Sequence, residues 1–186
     1  MITLKKTAGF TLLELVLTIT ILGILAVSAI PKFLSFTYEA TLSQSKALAS
    51  SLSQAVYFTQ IQWRINGHTS AVIDLENYAG NEIDTNDIGF PTATNRPNIN
   101  AIPNYIGPNK RGCNDIWNAL LQDPPTVSDK IQDNPDFLSF RHNKYDHRLS
   151  ACSYINQSYG STNDRETSAI VIVYESQDGT VEVIEN

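Results

Sequence analysis

One acidic residue, Glu14, interrupts the apolar segment that runs from residue 10 to residue 30. An ionisable group at the centre of a bilayer costs about 3 kcal/mol and usually has a partner. The segment carries no other charge. We therefore expect the Glu14 carboxylate to pair with a cation. The alternative is that it reaches the membrane interface and has no specific role.

The chain has two cysteines, Cys113 and Cys152, and both follow the apolar segment. If this part of the chain is exported, an oxidising compartment favours a disulfide between them. The chain-entropy model gives a stabilisation of about 4 kcal/mol for closing a loop of this length. Two buried free thiols are the alternative.

His142 and His147 flank Asp146 and could be read as metal ligands. A spacing of five places the two histidines on opposite sides of a helix or a strand, and the chain lacks a recognised zinc spacing. We expect surface polar residues here and no metal site.

Asp84, Asn86 and Asp87 could form a calcium loop, but they lack the full ligand pattern of such loops. A turn capped by these side chains is the favoured interpretation.

The basic residues Arg141, Lys144 and Arg148 form a cluster that also contains Tyr145. Basic and aromatic side chains together suit contact with a nucleic acid. The formal net charge of −6, however, argues against nucleic-acid binding as a general role. We predict that the cluster contacts an acidic surface of a neighbouring subunit. The sequence also lacks a nucleophile elbow and a phosphate loop, so we expect neither an enzyme nor a cofactor.

The apolar segment itself is long enough to span a membrane, because residues 10–30 make about 30 Å of helix. Lys5 and Lys6 precede it, which predicts a cytoplasmic N-terminus and a translocated C-terminus. A secretory signal cleaved after Ala29 would instead release a soluble secreted binding protein. A plain signal gains nothing from Glu14, which argues against that alternative.

A helical pattern continues beyond Pro31, which should kink the helix. Residues 31–66 place apolar side chains at helical spacing between polar ones, which predicts an amphipathic half, and Asn66-Gly67 predicts the helix end. We expect one helix from about Phe10 to Asn66.

Residues 67–186 contain short candidate strands separated by turn residues, which predicts a β-rich head domain. Two strands, Ser168–Ser176 and Thr180–Ile184, form a predicted hairpin around an Asp-Gly turn. Asn, Pro and Gly are frequent at 84–109, which predicts a loop. The other predicted elements are the strands Ala71–Leu75, Ile83–Asp84, Phe137–Arg141 and Cys152–Asn156, and a short helix Ile116–Gln122 capped by Asn114-Asp115. This order predicts an α+β fold.

The letters GFTLLE, which begin at Gly9, resemble the processing motif of type IV pilins and of the pseudopilins of type II secretion. The resemblance implies that a prepilin peptidase removes residues 1–9 as a leader and that the new N-terminal residue, Phe10, is methylated. The family also has a glutamate fifth in the mature chain and a proline twenty-second, and Glu14 and Pro31 hold these positions.

The same resemblance implies a long N-terminal helix packed on a C-terminal antiparallel sheet, and a function. Residues 10–30 would anchor the chain in the inner membrane before assembly and form the core of an extracellular pilus afterwards. Glu14 would then pair with the terminal amine of Phe10 in the next subunit. The implied partners are other pilin subunits, the prepilin peptidase, the inner-membrane assembly machinery and a host or surface receptor. We expect a major or minor pilin that serves attachment; a type II secretion pseudopilin is the alternative.

A finer resemblance rests on the segment from Cys113 to Leu121, the prolines after it and the Cys-Ser-Tyr sequence that begins at Cys152. These features are similar to the mannose-sensitive haemagglutinin pilins.

Overall fold

The structure, a computed structural model, describes residues 9–94, 105–107, 111–143 and 150–186, and of residues 28–35 it describes the backbone alone. The chain divides into two units, Met1–Ala40 and Thr41–Asn186. The first helix, α1, extends over Leu12–Ile65 and so belongs to both units. The single long helix predicted from the apolar and amphipathic patterns is therefore confirmed. Pro31 lies within it, and the kink stays a prediction.

Local backbone bonds end α1 where the sequence predicts. The amide of Asn66 donates to the carbonyl of Gln62, and Gly67 then adopts a φ of +76°. A residue without a side chain tolerates this left-handed conformation, which stops the helix. The next amide, that of His68, donates to the Trp63 carbonyl at 3.2 Å.

The second unit contains two sheets and a short helix in addition to the end of α1. The elements are β1 (Ile83–Thr85), β2 (Pro91–Thr94), α2 (Gly112–Leu120), β3 (Val127–Ser128), β4 (Phe137–His142), β5 (Ala151–Asn156), β6 (Ile170–Glu175) and β7 (Val181–Glu185), with 3-10 turns at Ala79–Asn81 and Ile131–Asp133. Strands β3 to β7 form one sheet in sequence order, antiparallel except for the β3–β4 pair, and β1 pairs with β2. The α+β class is confirmed.

The main core lies between the end of α1, the helix α2 and one face of the larger sheet. Leu52 and Val56 of α1 are buried there together with Trp117 of α2. The Trp117 ring lies 4.6 Å from that of Tyr154, measured between centroids. A second, smaller cluster, made by Leu138, Ile155, Val171 and Val173, covers the opposite sheet face. Every residue of β5 and β6 is therefore buried.

Three of the predicted element boundaries in the head domain are wrong. Ala71–Leu75 is not a strand; Val72 alone forms an isolated bridge, to Thr85. The predicted loop at 84–109 contains a strand, β2, which starts at a proline as edge strands allow. Helix α2 begins at Gly112 rather than at Ile116.

The start of α2 packs closely against another segment of the chain. A Cβ at residue 112 would lie 2.7 Å from the Gly107 backbone, so only glycine lets the two segments approach this closely. The Asn114 side chain does not cap the helix as predicted; its Oδ1 accepts a hydrogen bond from Ser139 of β4. The predicted strands at β1, β4 and β5 and the β6–β7 hairpin are confirmed.

Candidate functional site

The bond between Gly9 and Phe10 lies in exposed backbone ahead of α1. Neither residue belongs to a helix or a strand, and the Phe10 side chain is 87% exposed. A Cβ placed on Gly9 would meet no atom of the described residues within 4 Å. A peptidase that needs an extended, unhindered backbone could therefore reach this bond.

The first turn of α1 is held by a reciprocal pair of side chains, Thr11 and Glu14. The Oε2 atom of Glu14 accepts hydrogen bonds from the backbone amide and the hydroxyl of Thr11, each at 3.1 Å. In return the Glu14 amide donates to the Thr11 hydroxyl oxygen at 3.2 Å. This arrangement is a capping box, which satisfies amides that a helix start leaves unpaired.

The capping box gives Glu14 a role that the sequence reasoning missed, and it adds Thr11 to the site. The signal was present, because Thr-x-x-Glu before an apolar run is the sequence pattern of a capping box. Both bonds that Glu14 accepts in the described part of the chain end on Oε2. The Oε1 atom thus stays available to a partner while the cap is intact.

The described apolar side chains that follow Glu14 in the first unit are exposed. Leu15, Leu17 and Ile24, for example, are all more than half exposed. Among the residues that the structure describes, no helix combines the length and the apolar character needed to cross a membrane.

The disulfide connects α2 to β5 within the main core. Cys113 in α2 and Cys152 in β5 are bonded, with their Cα atoms 5.5 Å apart and a sequence separation of 39. The predicted pairing is confirmed. Next to it, the Tyr154 hydroxyl donates to the Cys113 carbonyl at 2.9 Å. Complete burial raises the pKa of this phenol far above its ordinary value, with a smaller contribution from Asp115, so it stays a neutral donor.

The family comparison matches the start of the chain. Residues 4–30 match the family model described as the prokaryotic N-terminal methylation motif. A fimbrial protein of Neisseria meningitidis serogroup A / serotype 4A is 34% identical over 97 residues, which are 50% of this chain and 56% of that relative. A type IV major pilin protein, PilE1, of Neisseria gonorrhoeae is 38% identical over 73 residues, 38% of this chain and 43% of the relative.

The chain is similar to type IV pilins over the matched segments. It spans about half the length of the curated relatives it matches. A comparison with solved structures gives no significant match. The matches confirm the resemblance to type IV pilins, and they do not confirm the finer resemblance to the mannose-sensitive haemagglutinin pilins.

Arg141, the described cation of the basic cluster, has an internal partner. Arg141 is half-buried in β4, and its guanidinium Nη1 donates to the Ile106 carbonyl at 2.6 Å. Burial lowers the pKa of Arg141. Lys144 and Arg148, together with Asp146 and His147, lie outside the described residues. The contact of the cluster with another subunit stays a prediction.

The remaining candidate ligands make ordinary structural bonds. His142 Nε2 lies 2.7 Å from the Ser153 hydroxyl, and the described residues contain no group of three or more potential metal-binding acids, histidines and cysteines. Asn86 caps a turn, since its Oδ1 accepts from the amides of Ile88 and Phe90. The Asp84 carboxylate accepts from the Asp74 amide. The capped turn that we favoured over a calcium loop is therefore present.

Proposed function

We propose that the chain is the precursor of a structural subunit of a type IV pilus that serves attachment. The observation that carries this proposal is the N-terminal segment, where an accessible Gly9–Phe10 bond precedes a capping box and a long apolar stretch. The relatives are named as fimbrial and major pilin proteins, which supports a structural rather than an enzymatic role.

The processing steps follow from the same segment. A prepilin peptidase cuts after Gly9, and the amine of Phe10 is methylated. Residues 10–30 then anchor the chain in the inner membrane, with the C-terminal head in the periplasm, until the assembly machinery adds the subunit to the pilus. The capping box favours this sequence of events because it orders the first turn directly after the cut.

Glu14 is the proposed assembly residue. In a filament core made of apolar helices, the new amine of one subunit and the Glu14 carboxylate of the next neutralise each other. Leaving either charge buried without the other is strongly unfavourable, so the pair selects the correct axial position. Oε2 is occupied by Thr11 in the described chain, which leaves Oε1 for the amine of the neighbouring subunit.

The mature N-terminus tests the proposal. Mass spectrometry of the protein purified from cells should find a chain that starts at N-methylated Phe10. A Gly9→Ala variant should accumulate with its leader attached. A mature chain that starts at Ile30 would show that the segment is an ordinary secretory signal, and would refute the proposal.

A type II secretion pseudopilin would pass that test as well, because it shares the N-terminal motif. Electron microscopy of surface fibres separates the two functions. Deleting the gene should remove long fibres and surface attachment if the chain is a pilin. Unchanged fibres together with a loss of protein secretion would favour the pseudopilin.

A further inference from the structure

Strand β7 forms one edge of the larger sheet, and part of its backbone has no partner strand. The Glu175 amide donates to the Thr180 carbonyl at 2.9 Å, at the turn between β6 and β7. Bonded residues alternate along an antiparallel pair, so Val181 and Val183 point their N–H and C=O groups away from β6. Among the described residues, no backbone group bonds to these outward groups. Strand β7 therefore presents an open edge.

A groove of about 400 Å³ lies between this edge and α1. Val181 and Val183 line it on the strand side, where both are partly buried against the main core. On the helix side, Ala49, Ser50 and Ser53 line it with small side chains. An extended chain laid beside β7 would bond to the outward backbone groups and place every second side chain in this groove.

The charges along β7 indicate which segment would fit beside it. Glu182 is exposed and, by strand alternation, lies on the sheet face opposite to Val181 and Val183. Lys46, a cation that lines the groove, lies 2.8 Å from Glu185 Oε1 and is neutralised by it. A basic residue beside Glu182 and small apolar residues in the groove would therefore complement the edge. The β7 strand of a second copy would instead bring two more glutamates and another net charge of −6.

We propose that the open edge of β7 binds an extended basic segment of a partner protein, which becomes a sixth strand of the larger sheet. The segment pairs antiparallel to β7, which continues the order of β4 to β7 and gives the more stable kind of ladder. Prolines and bulges that protect other sheet edges are absent from the five residues of β7, and its glutamates repel acidic chains while leaving the edge open to basic ones. This docking function belongs to the head domain and does not depend on the N-terminal segment.

Fluorescence anisotropy with the full-length protein in a non-ionic detergent tests the edge. The probe is a short labelled peptide in which lysine and valine alternate, and the matched control peptide has glutamate in place of lysine. The lysine peptide should bind with a dissociation constant below about 1 mM, and added salt should weaken its binding. The glutamate peptide should not bind. Glu182→Lys should reverse this preference, whereas Glu76→Lys, in the loop after α1, should leave it unchanged.

Backbone pairing is tested on both partners. Val183→Pro removes one outward N–H at a position where an edge strand accommodates proline, and it should weaken binding about 2–10-fold. In an antiparallel pair the peptide valines share the face of Val183, and their amides point at β7. Methylating the valine amides of the peptide should therefore abolish binding to the wild-type protein. Methylating the lysine amides, which point away from β7, should not.

The peptide methylation test uses the wild-type protein, so it decides the matter even if Val183→Pro does not fold. The proposal is overturned if the lysine peptide does not bind below about 1 mM. It is also overturned if the glutamate peptide binds as tightly, or if methylating the valine amides has no effect. Sedimentation that shows self-association of the wild type, abolished by Val183→Pro, would make a second copy the occupant of the edge and would likewise overturn it.

Discussion

Three substitutions in the first turn of α1 separate the charge of Glu14 from its role in the capping box. Glu14→Gln removes the charge but keeps an amide oxygen that can accept from Thr11, since glutamine also serves in capping boxes. Thr11→Val keeps the charge and removes the capping hydroxyl. Glu14→Ala removes both. All three variants keep the apolar segment, so we expect each of them to remain in the membrane.

The two roles differ in magnitude. Loss of one partner from a buried ion pair costs about 3–5 kcal/mol, which corresponds to a factor of about 10²–10⁴ in subunit addition. Loss of a capping residue costs about 1 kcal/mol, or about fivefold. We therefore expect Glu14→Gln and Glu14→Ala to produce almost no pili, whereas Thr11→Val should reduce pili only modestly.

The assay compares two fractions by immunoblot, the pili sheared from the cell surface and the subunits left in the membrane. Equal amounts in the membrane fraction show that the variants are made and inserted. Mass spectrometry of that fraction checks that cleavage after Gly9 is unaffected. The reasoning is refuted if Glu14→Gln assembles like the wild type while Thr11→Val does not, because the capping box and not the charge would then govern assembly.

Three further predictions concern the head domain. Replacing Cys113 and Cys152 by serine should lower the free energy of unfolding by about 2–5 kcal/mol in urea titrations, and adding reductant to the double variant should have no further effect. Burial raises the pKa of Tyr154 above 10.0, so its neutral phenol favours the folded state up to about pH 10, and this contribution to stability declines above that pH. Circular dichroism should therefore show that the loss of folded protein with rising pH is less steep in Tyr154→Phe than in the wild type. Arg141→Met should cost about 1–3 kcal/mol by leaving the Ile106 carbonyl without its donor, and an unchanged urea midpoint would contradict that role.

The local sequence determined those features whose interactions come from residues close together in the chain. The capping box needs only Thr11 and Glu14, three residues apart, so it can be read from the sequence pattern. The β6–β7 hairpin is likewise local: alternating residues flank an Asp-Gly turn, and Gly179 adopts a φ of +73° there. The disulfide was predictable because two cysteines allow only one pairing.

The tertiary structure determined those features of the fold that depend on contacts between residues distant in the chain. Strand β2 lies in a segment whose Asn and Pro content indicates a loop, and it is held by the Tyr174 hydroxyl, which bonds to Pro91 from 83 residues away. The Gly107 backbone packs against Gly112 at the start of α2, an approach that leaves no room for a side chain there. Nothing local to Glu175 predicts that its carboxylate is fully buried. Burial at this end of β6 depends on contacts with residues distant in the chain, and such contacts leave no periodic signal in the sequence.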